Sequence, residues 1–298
     1  MRSWRRFLRE RSAVAGTAVV LVLVLAAVFG PLIDQTSPDH IVHALIGHPQ
    51  PPSWAHWFGT DMIGRDVFVR SLYGARVSLT VGAAAMVVSF TIGILYGAIA
   101  GAAGGTLDNL MMRFVDAMLS FPTFFLLLIV SALTEKFSLT IIILIIGLTS
   151  WPGLSRLVRA EVLSLRERDF VEAARALGAS PARLILRHLI PNALAPVVVA
   201  AAFAVGDNIL AESSLSFFGL GVQPPAASWG NMLQDALTPQ AEAAPWMVFV
   251  PGLAIITTVL AFSVIADGIR VALDTSIGQE TAAETLEVEP APYAAAPT

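Results

Sequence analysis

The chain has 298 residues, 56% of them hydrophobic and 13% charged, with a formal net charge of −4. An ordinary soluble domain is about one quarter charged, so this composition excludes a water-soluble globule and points to an all-α integral membrane protein, because a helix satisfies its own backbone polar groups in lipid. The absence of cysteine excludes disulfides and thiol chemistry.

A helix crosses a hydrocarbon core about 30 Å thick in roughly 20 residues. The arginine-rich head, residues 1–11, leads into the first charge-free run at 12–33. That run is longer than the apolar core of a secretory leader and lacks a small-x-small cleavage site before Asp34, so it is read as a span. Five further spans are predicted at 77–101, 116–133, 137–155, 189–213 and 245–266, giving a membrane domain over 12–278. The segment 213–234 is also free of charge, but its glycines and double proline break the backbone bonding that a lipid-exposed helix needs. It is placed outside the bilayer or as a re-entrant hairpin. The tail at 279–298 is acidic and rich in Ala and Pro, a composition that predicts disorder.

The loop after the first span carries His40, His43, His48 and His56 among Pro38, Pro49, Pro51 and Pro52. Metal ligation requires a closed geometry with supporting partners, and this irregular spacing predicts exposed loop histidines with no metal site. Asp66 is placed to cap a short amphipathic helix leading to Arg76, and Gly59 and Gly64 suit tight turns. Asp61, Arg65 and Asp66 are expected to form a local ion-pair cluster of the exposed, weak kind. Farther along, Phe121-Pro122 predicts a kink in the third span.

The insert between the fourth and fifth spans reads EAARALGASPARLILRHLIPN from Glu172 to Asn192. Strong helix formers predict a helix over 165–177, ended by Gly178 as a left-handed cap. Ser180 as N-cap and Pro181 at the first helical position restart a second helix over 181–190 that runs into the fifth span. On composition alone this hairpin would lie on the inner leaflet with its arginines at anionic headgroups.

Charges inside spans are expensive and tend to face protein or water. Asp116, Asp207 and Glu212 are the candidates. At about 100° per residue, Asp207 and Glu212 stand about 140° apart and cannot share one narrow stripe. Glu212 is expected to pair with an arginine or backbone of the outer segment, and Asp207 has no assigned role.

Direction follows from basic residues in short loops. Placing the head inside collects Arg2, Arg5, Arg6, Arg9, Arg11, Arg113, the arginines from 156 to 187 and Arg270 on that side, fourteen of eighteen Lys and Arg. Outside remain Arg65, Arg70, Arg76 and Lys136. Both termini are therefore expected in the cytoplasm.

Glu172-Ala173-Ala174, then Gly178 and later Pro191, resembles the EAA loop of permease subunits of ATP-binding-cassette (ABC) importers. His188-Leu189-Ile190 before that proline departs from the general pattern, as a subfamily would. HWFGTDMIGRDVFVRSLYGARVSLTVG at 56–82 is similar to the GTD-x-x-GRD signature of oligopeptide, dipeptide and nickel permeases, and AESSLSFFGLGVQPPAASWGNML at 211–233 looks like the same subfamily. The three motifs cover about a quarter of the chain, and the likeness is to the second, C-type subunit.

The resemblance implies a type I ABC importer permease fold with six transmembrane helices and cytoplasmic EAA coupling helices. It implies a homologous B-type permease subunit, two nucleotide-binding ATPase subunits and an extracytoplasmic solute-binding protein as partners in a bacterial or archaeal inner membrane. It further implies docking of the ATPase through 165–190, with Glu172, Ala173, Ala174, Leu177, Gly178, Leu184 and Ile185 as candidate contacts. Asp61, Arg65, Asp66, Glu212, Gly219, Gly221 and Trp229 would shape the outer gate and the side that receives the binding protein. Di- and oligopeptides are the expected cargo, with nickel or another small solute as the alternative.

No cofactor or metal is expected in this chain, ATP and Mg being held by partner subunits. The chain has no G-x-x-x-x-G-K-[ST] loop and no G-x-S-x-G elbow, so it is not expected to be an enzyme. A rival from another class, an ATP-independent channel or ion-coupled carrier, would show paired charges or broken helices at the midplane.

Overall fold

The computed structural model describes residues 2–33, 37–133, 138–238 and 244–273. Lys136 and the tail from 279 lie outside the described residues. Helices α1 (Arg2–Arg9), α2 (Arg11–Ile33), α3 (Val67–Ala103), α4 (Gly105–Ser120), α5 (Thr123–Ala132) and α6 (Leu139–Leu165) come first. After them come α7 (Asp169–Ala176), α8 (Pro181–Arg183), a π-helical turn (Leu184–Leu189), α9 (Ile190–Phe217), α10 (Trp229–Asp235) and α11 (Trp246–Leu273).

Five helices are long and apolar enough to cross a membrane, and α4 with α5 supplies a sixth span if that bent pair counts as one. The bend between them is 80°, sharper than a kink, because Phe121 is extended and Pro122, without an N–H, cannot continue the α4 ladder.

α3 is the central helix. Asp66 caps it, accepting from the backbone N–H groups of Phe68 at 2.8 Å and Val69 at 3.1 Å. The expected short helix from Asp66 to Arg76 and the second span are one helix of 37 residues, since no glycine-proline break separates them. Gly93, Gly97 and Gly101, spaced four apart on one face, bring α3 against α6: a Cβ at Gly97 would stand 2.4 Å from the Ser155 carbonyl oxygen and 2.9 Å from Val158. Small residues at this spacing let two backbones approach. On its other side Gly82 admits Ile209 of α9, and Asn208 Nδ2 donates to the Gly82 carbonyl at 3.3 Å. α2 packs along α11 by the same device, Gly16 facing Val264 and Gly268 facing Ala13.

The chain has two distinct ends. Residues 37–66, the start of α3, the end of α9 and α10 share one, where Trp246 at the start of α11 donates to the Thr60 carbonyl at 3.0 Å. α7, α8 and the π turn occupy the other, together with the C-terminal end of α11, against which Phe7 of α1 is buried.

Candidate functional site

Two constructions stand at these opposite ends. At the first, the chain forms an elbow. The helix expected over 165–177 is in fact divided: α6 runs on to Leu165, well beyond the predicted end of the fourth span, and Arg166 to Arg168 turn before α7 begins. Strong helix formers span the break, and Arg166 Nη1 instead donates to the Gly101 carbonyl of α3 at 3.2 Å. α7 ends as expected. Gly178 has φ +80°, the Gly178 N–H donates to the Arg175 carbonyl at 2.9 Å, and the Ala179 N–H reaches the Ala174 carbonyl at 3.0 Å. This pair of bonds satisfies helix-end carbonyls only when the intervening residue is left-handed.

Ser180 then caps the next helix, its hydroxyl accepting from the Arg183 N–H at 3.4 Å, with Pro181 at the first position. Helix continues from Pro181 to Phe217 over 37 residues. Pro191 does not stop it. The π turn just before the proline widens the ladder, the Ile190 N–H bonding the Ile185 carbonyl, so a residue without an N–H is accommodated without a break.

Among the expected docking residues Glu172, Ala173 and Gly178 are exposed, Ala174 and Ile185 are half-buried, and Leu177 is 89% exposed. Leu184 is not available. It is buried in a cluster with Val171, Leu189 and Val162, because the helix turns that flank toward α3 and α7. The exposed apolar side chains that sequence reasoning missed are Phe170 and Leu186; a helical wheel for 169–190 drawn with the break at 166–168 would have found them.

At the opposite end lies a buried charge cluster. Asp61 accepts from Arg65 Nε at 2.6 Å and from Arg70 Nη1 at 2.9 Å, and Asp235 accepts from Arg65 Nη2 at 2.6 Å and Arg70 Nη1 at 2.7 Å. Asp61, Arg65 and Arg70 are 2%, 7% and 3% exposed. The expected weak, exposed cluster is therefore wrong in both burial and membership. Asp66 is outside it, capping α3 and pairing with His56 Nδ1 at 2.7 Å. Arg70 and Asp235 belong to it, and no local spacing could reveal a partner 165 residues away. Gly59 and Gly64 do form turns, with φ +75° and +81°. Among the described residues no group of three or more His, Cys, Asp or Glu forms a metal-ligand arrangement.

Beside this cluster Glu212 is fully buried. Its partners are hydroxyls, not the expected arginine or backbone: Ser78 donates to Oε2 and Ser216 to Oε1, each at 2.7 Å. Ser216 also accepts from the Val222 N–H at 2.9 Å, folding the chain back toward α10. Gly221 permits that return, since a Cβ there would stand 2.3 Å from Ser216 Oγ, and Gly219 is left-handed with φ +75°. Trp229, 1% exposed, fits against Gly74 and donates from Nε1 to the Ser71 carbonyl at 3.2 Å. Segment 213–234 is thus a folded-back hairpin packed on α3 and α9. Asp61, Arg65, Glu212, Gly221 and Trp229 hold this end together from inside.

Between the ends, Asp116 pairs with Arg156 across α4 and α6. Asp108, unremarked in the sequence, makes a two-pronged bond with Arg159 at 2.5 and 2.7 Å.

A bundle of apolar helices with close glycine contacts and a helical elbow at one end defines a multi-pass membrane protein. Residues 93–279 match the family of binding-protein-dependent transport system inner membrane components, and residues 1–52 match the N-terminal TM domain of oligopeptide transport permease C. The chain belongs to that transport family.

It is 40% identical over 276 residues to the dipeptide transport system permease protein DppC of Bacillus subtilis, covering 92% of this chain and 85% of the relative. It is 42% identical over 272 residues to the oligopeptide transport system permease protein OppC of Haemophilus influenzae, covering 91% and 86%. To OppC of Bacillus subtilis the identity is 38% over 272 residues, covering 91% and 88%.

Proposed function

We propose that this chain is the C-type permease subunit of an ATP-driven importer for di- or oligopeptides, with the elbow at 169–190 on the cytoplasmic side. One observation carries the reading: the Ser180-capped segment and α9 are one uninterrupted helix of 37 residues, so a force on the elbow is delivered along about 55 Å of helix. A frayed loop would dissipate it. Phe170, Leu177 and Leu186 offer apolar surface to an ATPase, and Glu172 and Arg175 offer a polar rim. Peptides as cargo follow the names of the relatives. ATP and Mg belong to the ATPase subunits, a homologous permease completes the pathway, and an external binding protein delivers the solute to the end built around Asp61 and Glu212. The fourteen basic residues of the head, α4, the second half of α6, the turn and elbow after it and the α11 end favour both termini in the cytoplasm.

The reading is tested by reconstituting the chain in liposomes with the second permease, the ATPases and the binding protein. ATP-dependent uptake of radiolabelled tri-alanine is expected, with none for this chain alone. Uptake by the isolated chain would overturn it.

A further inference from the structure

α9 carries two charged residues, Glu212 and Asp207. Glu212 is buried toward α3. Asp207 is exposed, and its carboxylate makes no hydrogen bond or ion pair with any described residue. The faces are opposed: Val205, Ile209 and Glu212 are buried, whereas Asp207 stands about 200° around the helix from Val205. Phe203, Leu210 and Phe218 are exposed on the Asp207 side. Asp207 also lies within the membrane-spanning part of α9, about 25 Å along it from Ile190. A bare carboxylate at that depth does not face hydrocarbon; it faces water or protein.

The neighbouring element points to water. Phe218 lies against Phe124 of α5, ring centroids 5.8 Å apart. α5 follows the 80° break after Ser120, about 23 Å along α4 from Gly105. Phe121 and Pro122 at the break are exposed, and interrupted backbone at membrane depth is tolerated only where protein covers it or it borders a water-filled cavity. The uncovered break thus adjoins the outer end of α9, about 16 Å along that helix from the bare carboxylate. Ala200, Ala201, Ala202 and Ala204 precede Asp207 and leave room beside it.

We infer that Asp207 borders the solute pathway and binds a cationic group, ammonium or guanidinium, of the transported solute. This rests on the importer reading. Because the carboxylate rides on the same rod as the elbow, a motion that tilts α9 moves the contact with it.

The test uses the complete complex in proteoliposomes. The chain has no cysteine of its own, so Asp207→Cys reports access directly once the partner subunits are made cysteine-free. A water-borne quaternary-ammonium methanethiosulfonate is expected to modify Asp207→Cys and to spare Ile209→Cys on the buried face. In uptake, Asp207→Asn is expected to raise the KM for tri-alanine by about ten-fold, the loss of one hydrogen bond to a charged group, and Asp207→Glu is expected to restore it.

An unmodified Asp207→Cys overturns the inference. So does an unchanged KM in Asp207→Asn, and so does loss of the second permease from purified Asp207→Asn complex, which would make the carboxylate a contact between subunits. Failure of the unsubstituted complex to take up tri-alanine with ATP would instead count against the peptide-importer reading, while the labelling would still decide where Asp207 faces.

Discussion

Replacing Gly178 with valine isolates the elbow from everything else in the molecule. Its φ of +80° is left-handed, a conformation that costs an L-residue with a Cβ about 1–2 kcal/mol. Nothing lies within 4 Å of an added Cβ, so the Cβ itself meets no clash and its penalty falls on the backbone. It falls on the two bonds that close α7, from Gly178 to Arg175 and from Ala179 to Ala174. A penalty of about 1–2 kcal/mol shifts the ratio of closed to frayed elbow by about 5- to 30-fold.

The assay is ATP-driven tri-alanine uptake by the reconstituted complex, beside the melting temperature of the membrane domain. Uptake should fall several-fold in Gly178→Val while the melting temperature holds, since the elbow is exposed and the core untouched. Gly178→Asn should recover much of the uptake, because asparagine enters the left-handed region more readily. Wild-type uptake in Gly178→Val, or equal loss in both variants, would refute the argument.

Leu177 and Leu184 should separate docking from folding. Leu177→Ala removes a side chain 89% exposed and should weaken co-purification of the ATPases with little change in melting. Leu184→Ala empties a buried position and should destabilise the bundle by about 2–5 kcal/mol, seen as a lower melting temperature. Gly97→Val would set a Cβ 2.4 Å from the Ser155 carbonyl oxygen, where ordinary C···O contacts are about 3.3 Å or more. Forcing α3 from α6 should cost about 1–3 kcal/mol, again read by melting, and Gly97→Ala should be milder than Gly97→Val. Arg70→Ala strips a cation from Asp61 at 2% exposure and should cost about 3–5 kcal/mol, whereas Asp235→Asn should cost less because that carboxylate is 34% exposed.

What was legible in the sequence was local. Apolar runs placed the spans to within a turn or two at most ends, Gly178 and Ser180-Pro181 announced the elbow, and Asp66 announced its cap, because each signal acts through residues within about four positions. The break at 166–168 was hidden because strong helix formers cover it and the competing bond comes from Gly101 of another helix. Arg70 with Asp235, and Glu212 with Ser78, are pairings across the fold that spacing does not encode. The run Gly93, Gly97, Gly101 has a physical meaning in apolar helices, but spacing alone does not say that α6 is the helix it meets. Burial was the main error of sign: Asp61 and Arg65 sit in a polar loop, but Trp229 and α10 close over that end.

The central claim is that an external motor grips the elbow on the cytoplasmic face. A photo-crosslinking residue at Leu177 in the assembled complex tests it most directly, with Trp54, 97% exposed at the opposite end, as the comparison. Covalent capture of the ATPase from position 177 and none from position 54 is predicted. Capture of the ATPase from position 54, or of the external binding protein from position 177, would contradict the account.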